Sequence, residues 1–186
     1  MIVDGRALAK ERREELRKER SQFGELSLGV VMAGGDKVTQ SYVGIKKRAA
    51  EALDIHVVEY RLSDMATTEE VVAKVHEAKK HDGIILQLPV PQSVDVDTAI
   101  NEIPADIDVD VLSDNAFAVF EKGDFPPIPP VPAAMLYILK RHEVSIRGAN
   151  IALVGKGRLV GRPAEVLFSH LGANVTTLIK GDDVAA

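Results

Sequence analysis

The sequence contains no cysteine and no tryptophan, and only 4% of its residues are aromatic. Without thiols there can be no disulfide frame, no thiolate metal site and no cysteine nucleophile, which suits a cytoplasmic setting. A core so poor in rings must rest on Val, Ile, Leu and Ala. No run of 18 apolar residues occurs, so no segment is expected to span a membrane. The opening MIVDGRALAKERREELRKER becomes charged at once and lacks the apolar centre of a secretory leader. A net charge of −5 gives no general attraction for nucleic acid.

What is present is ordinary globular material, 46% hydrophobic and 27% charged. The 186 residues suffice for one large domain or two small ones. Asp4 can cap a helix over roughly residues 5 to 21. LSLGVVMAG then reads as a buried strand, followed by a helix running to about Leu53. IHVVEYRL alternates as a strand, ATTEEVVAKVHEAKKH opens with helix-capping threonines, and DGIILQL is a short strand stopped by Pro89 and Pro91. A short helix over residues 96 to 102 follows. This alternation predicts an α/β fold with a parallel sheet.

After Pro104 the pattern changes. PADIDVDVLSDN is acidic and irregular, and GDFPPIPPVPAA holds five of the nine prolines. That cluster predicts a boundary between an N-terminal α/β domain, residues 1–125, and a second domain, residues 126–186. The second domain opens with a helix over about 132 to 143 and continues as strand, glycine turn, helix and strand.

Four places carry chemical potential. Tyr42 and Lys46 stand four apart on a helix and share a face. A lysine of ordinary pKa is neutral in only about one molecule in two thousand at pH 7, so base chemistry there requires burial or a neighbouring cation. The alternative is a surface tyrosine lying beside a lysine stem. Gln87 is a polar residue at the end of an apolar strand, where ligands collect in open α/β sheets. It is either a buried amide with partners to find or a solvent-facing residue of an edge strand. Asp106, Asp108 and Asp110 alternate, and in an extended segment they face one side. They lack the further ligands of a calcium loop, so a solvated acidic loop with one aspartate turned inward is expected, and no metal. VGKGRLVG follows a strand and opens a helix, with glycines at Gly155, Gly157 and Gly161. This is near the dinucleotide fingerprint without matching it, and Lys156 and Arg158 add charge that suits phosphate. Basic Lys180, near the end of the next strand, tilts the expectation toward NADP.

In order along the chain these pieces resemble the bifunctional methylenetetrahydrofolate dehydrogenase/methenyltetrahydrofolate cyclohydrolase family. SYVGIKKRAAEALDI is similar to its Y-V-x-x-K helix, DGIILQLPVP to its strand and Q-L-P-L-P turn, and DVDVL to its D-V-D-G segment. PPVPAA resembles P-C-T-P-x-G, and VGKGRLVGRP resembles V-G-R-S-x-x-V-G-x-P. The resemblance implies an N-terminal folate-binding lobe, then part of a Rossmann-like NADP-binding lobe, with folate in the cleft between lobes and a homodimer as the assembly. It implies Lys46 as the general acid/base of hydrolysis, Tyr42 as a substrate-packing residue, and Gln87 as the partner that holds the lysine's proton state. It implies Asp110 on the amino-pyrimidine edge of the pterin. Residues Gly155, Lys156, Gly157, Arg158 and Gly161 would hold the cofactor.

Several departures bear on these roles. Val111 replaces a glycine, so the loop is expected to lose its freedom at positive φ. Pro130 and Val131 stand for Cys-Thr, Ala134 for Gly, and Gly157 for a serine. The family continues through further strands and a late P-G-G-V-G-P-M-T loop. A chain ending at IKGDDVAA is therefore expected to bind NADP weakly, to show little or no dehydrogenase activity and to associate through an open strand edge. A non-catalytic relative that binds folate or a partner protein is the alternative from another class, and an unrelated dinucleotide-binding module a third.

Overall fold

The computed structural model describes residues 2–35, 37–123 and 127–182. By its contacts the chain divides into two units, Met1–Asp108 and Val109–Ala186.

The first unit begins with α1 (Gly5–Arg20), whose first turn is closed by Asp4 Oδ1 accepting from the Arg6 and Ala7 N–H groups. Next come β1 (Leu26–Ala33), α2 (Lys37–Glu51), β2 (Ile55–Leu62), α3 (Thr68–Ala78), β3 (Gly83–Leu86) and α4 (Val96–Asn101). The strands form a parallel sheet in the order β2-β1-β3. Central β1 is covered on both faces, and its residues 29–33 are all buried. Alternation assigns the faces. Val30 and Met32 join Ile85 and the α2 residue Val43 in one cluster. Gly29, of opposite parity, faces α3: a Cβ there would stand 3.1 Å from Ala78 Cβ and 2.9 Å from the His81 ring. Helix α3 starts with a reciprocal cap, Thr67 Oγ1 accepting from Glu70 N and Glu70 Oε2 from Thr67 N. It buries Val71, Val75 and Ala78, one stripe of the helix.

The second unit contains α5 (Asp114–Glu121), α6 (Pro130–Arg141), β4 (Asn150–Val154), α7 (Gly161–His170) and β5 (Asn174–Leu178). Strands β4 and β5 pair in parallel from Asn150↔Asn174 to Val154↔Leu178, with α7 as the crossover. Helix α7 buries Ala164, Leu167 and Phe168.

The expected boundary at 125/126 lies outside the described residues, and the contacts divide the chain earlier. The reason is α5, where an irregular acidic stretch was expected to continue. Ser113 Oγ accepts from Ala116 N and caps it. It then packs on α7, with the Arg162 guanidinium 3.9 Å above the Phe117 ring and His170 Nε2 2.8 Å from the Glu121 carbonyl.

Candidate functional site

Three loops meet at the carboxyl end of the first unit's sheet. Gly34 N donates to Leu62 O, tying the loop after β1 to the end of β2. Ser93 Oγ donates to Ala66 O and Asp95 N to Thr68 Oγ1, tying the loop after β3 to the start of α3.

Gln87 stands at this end, one residue past β3. Its N–H continues the ladder by donating to Val31 O at 2.8 Å. It is 9% exposed, so the solvent-facing alternative does not hold even though β3 is an edge strand. Two residues on from Ile85, it points to the α2 face of the sheet. Its Nε2 donates to Leu88 O at 2.6 Å. Its Oε1 is buried and accepts no hydrogen bond. Leaving such an acceptor unmade costs on the order of 1 to 3 kcal/mol.

The same face receives α2. Thr39, Val43, Lys46 and Ala50 follow the 4-3-4 spacing of an inward stripe, and three of them are buried. Lys46 takes the fourth position and is half-buried, so a lysine occupies a place that packing alone would give to an apolar residue. Helix side chains lean toward the helix N-terminus, which here means toward the carboxyl ends of the strands. Tyr42, one turn earlier and about 40° around the helix, is 60% exposed and borders the stripe. Lys47 points elsewhere, to Glu59 Oε1 at 3.2 Å. Burial pushes the Glu59 carboxyl up, but hydrogen bonds from Arg61 and Lys47 outweigh it and hold it below the usual range.

The three alternating aspartates do not share a side. The segment turns, with both Ile107 N and Asp108 N donating to Pro104 O. Asp106 is exposed, Asp108 is 1% exposed, and Asp110, in the second unit, is half-buried. Among the described residues no group of three or more His, Asp or Glu could hold a metal ion. Val111 has φ +55° and is 2% exposed, so the positive φ is kept by a valine rather than lost.

In the second unit the glycine turn links β4 to α7. Gly155 has φ +100°, and its N–H donates to Leu178 O at 2.7 Å. Gly161 is required by packing, since a Cβ there would lie 1.9 Å from Gly155 O. Beside Gly155 and Gly157 the Cβ positions are open, with nothing within 4 Å. A phosphate can therefore approach the backbone at the start of α7, and the residues fit a dinucleotide. Arg158 is exposed on the turn. Lys156 Nζ lies 3.2 Å from Glu165 Oε2, an ion pair not anticipated from the sequence, because nine positions and a change from turn to helix separate the two.

Residues 3–110 match the family described as tetrahydrofolate dehydrogenase/cyclohydrolase, catalytic domain, and residues 129–184 match its NAD(P)-binding domain. The bifunctional protein FolD of Agathobacter rectalis is 30% identical over 182 residues, covering 94% of this chain and 65% of the relative. The chain thus spans about 65% of the length of the curated relatives it matches. The bifunctional FolD dehydrogenase/cyclohydrolase of Campylobacter jejuni superposes with a TM-score of 0.90 at 26% identity, over 97% of this chain and 67% of that one. The Trypanosoma brucei enzyme, solved with NADP cofactor and an inhibitor, gives 0.90 and 26%, over 97% and 65%.

Proposed function

The chain belongs to the tetrahydrofolate dehydrogenase/cyclohydrolase family, and from that premise we propose that it acts in one-carbon folate chemistry. Its reactions are the NADP-dependent oxidation of methylene-tetrahydrofolate and the hydrolysis of the methenyl product to formyl-tetrahydrofolate. The observation that carries this reading is that Lys46, half-buried in the inward stripe of α2, and the buried Gln87 carbonyl, which accepts no hydrogen bond, belong to the same face of the sheet.

Lys46 is the general acid/base of the hydrolysis. As an amine it takes a proton from the attacking water, and as an ammonium it returns one to the nitrogen that leaves. Gln87 Oε1 is an acceptor held in place by the bond from Nε2 to Leu88 O, and it offers the ammonium a fixed partner. Tyr42 presents an exposed ring for the substrate to pack on. Asp110 accepts two parallel N–H bonds from the amino-pyrimidine edge of the pterin. Gly155, Lys156, Gly157, Arg158 and Gly161 hold the dinucleotide phosphates. The bound nicotinamide supplies the hydride acceptor. The working form is a cytoplasmic homodimer, testable by sedimentation and cell fractionation.

Lys46→Met is the test. Methionine keeps the stem and removes the amine, so hydrolysis of methenyl-tetrahydrofolate should fall at least about 100-fold while folate still binds. Undiminished hydrolysis would remove Lys46 from the mechanism. A wild-type chain that binds folate and turns over neither substrate would instead favour the non-catalytic folate-binding reading.

A further inference from the structure

Helices α1 and α2 lie side by side and run the same way. Arg17 Nε donates to Ala52 O, and Arg20 donates to Leu53 O and Asp54 O, so the end of α1 closes the end of α2. Earlier along both helices, Arg13 of α1 faces Ile45, Arg48 and Ala49 of α2 across a groove of about 370 Å³. The two arginines differ from their neighbours in sequence. Arg12 is paired with Glu15 and Glu19, and Lys47 with Glu59. Arg13 and Arg48 have no acidic partner among the described residues. Arg48 Nη1 turns back over Gly44, 3.4 Å from where a Cβ would stand, so the missing side chain leaves the guanidinium room to lie toward the start of the helix. Like charges beside one groove repel, and a guanidinium receives a carboxylate on two parallel N–H groups.

The groove leads back to the candidate site. Tyr42, Ile45 and Ala49 follow the 3-4 spacing of one helix face. The first two are 60% and 52% exposed, so packing within the unit does not account for this apolar strip. Tyr42 stands about 40° around the helix from Lys46 on one side and about 60° from Ile45 on the other. The strip therefore begins beside Lys46 and reaches Arg48 about 9 Å further along the axis. A folate ends in one or more γ-linked glutamates, each of which adds a carboxylate.

We propose that the groove between α1 and α2 is a subsite for the glutamyl chain of a folate, with Arg13 and Arg48 as the residues that hold its carboxylates. This rests on the folate reading above: the ring system lies by Lys46 and Gln87, and the chain leaves it past Tyr42.

Calorimetric titration of the 186-residue chain with tetrahydrofolate carrying a single glutamate, and with the form carrying a five-glutamate chain, tests the proposal. The longer chain should bind about tenfold more tightly, the scale of two part-exposed ion pairs, and high salt should shrink that ratio. Arg13→Gln/Arg48→Gln should bring the ratio near one. Affinity for the single-glutamate form should change by less than about threefold, which also reports that the variant is folded. Lys18→Gln removes an exposed cation of α1 outside the groove and should leave the ratio as it is. Equal binding of the two ligands by the unaltered chain, or a ratio that survives loss of both arginines, would overturn the proposal and leave the folate reading intact. Failure of either ligand to bind at millimolar concentration would overturn both. An unattached five-glutamate peptide that binds as tightly as the tethered chain, through the same arginines, would overturn the proposal in favour of a docking site for an acidic protein.

Discussion

At Val111 a buried, β-branched side chain holds a backbone angle that usually belongs to glycine. An L-residue at positive φ is disfavoured by roughly 1 to 2 kcal/mol. Burying a valine returns about 1.5 to 3 kcal/mol, and glycine adds about 0.5 to 1 kcal/mol of chain freedom to the unfolded state. The two terms that favour valine together exceed the strain. Val111→Gly, although it restores the family residue, should therefore destabilise the chain by about 1 kcal/mol in urea titration; a gain in stability would show that strain dominates. Gly161 is the opposite case. A methyl group there meets a carbonyl oxygen of the backbone, not a side chain that can swing away. Gly161→Ala should cost more than about 2 kcal/mol and also lower dinucleotide affinity, since the turn must open to relieve the clash. That Gly161 needs to be glycine was legible in the spacing; that Val111 keeps the glycine angle was not, because burial and strain compete with similar magnitudes.

Among the elements, those with a period long enough to count were readable. The inward stripe of α3 and the capping threonine at its start follow from the sequence, as does the apolar run of β3. Helix α5 was not read, because its eight residues are bracketed by acidic and proline-rich stretches and carry little periodicity beyond Phe117 and Phe120. The alternating aspartates were read as a solvated acidic loop with one residue turned inward, and Asp108 is that residue; period two would give a shared face only if the chain were extended, and here it turns at Pro104. A buried histidine connects the first unit's elements in a way no pattern announced. His81 Nε2 lies 2.9 Å from the Tyr60 hydroxyl on β2, and Nδ1 lies 3.1 Å from Ser27 Oγ on β1. Asp82 Oδ2 accepts from both Ser27 N and Ser27 Oγ. Burial pushes the His81 pKa below its ordinary value of 6.5; Lys80 and His56 add to this and Asp82 opposes it. The unfolded chain thus takes up the proton first, and stability falls as pH drops below about 6.5. Asp82, held low chiefly by the Ser27 N–H, acts in the same direction but only at more acid pH. The melting temperature should decrease from pH 7 to pH 5, and His81→Gln should flatten that slope while lowering the whole curve. An unchanged slope in the variant would assign the acid sensitivity to other groups.

For the molecule as a whole, the difference in how the two sheets are covered decides behaviour. Strand β1 has neighbours on both sides and is buried over its last five residues, whereas no residue of β4 is fully buried and Val154 is 82% exposed. Among the described residues the β4–β5 pair has no third strand, so each strand offers an open edge. Beside β4 lies an apolar cavity of about 390 Å³, bounded by Met135, Ile138, Leu139, Ile151, Leu153 and Phe168. Two strands with one partly covered face are marginal in water, and an open edge invites pairing with another chain. Amide hydrogens of β4 and β5 should therefore exchange well before those of β1. The chain should also associate increasingly with concentration, as followed by sedimentation velocity. Thr176, exposed on β5, is the place to separate edge pairing from burial of the apolar cavity. Thr176→Lys puts a charge on the edge without touching the cavity wall. It should reduce association and leave binding of an apolar dye unchanged. Association that persists in Thr176→Lys but falls when Leu153 is replaced by serine would locate the contact in the cavity instead.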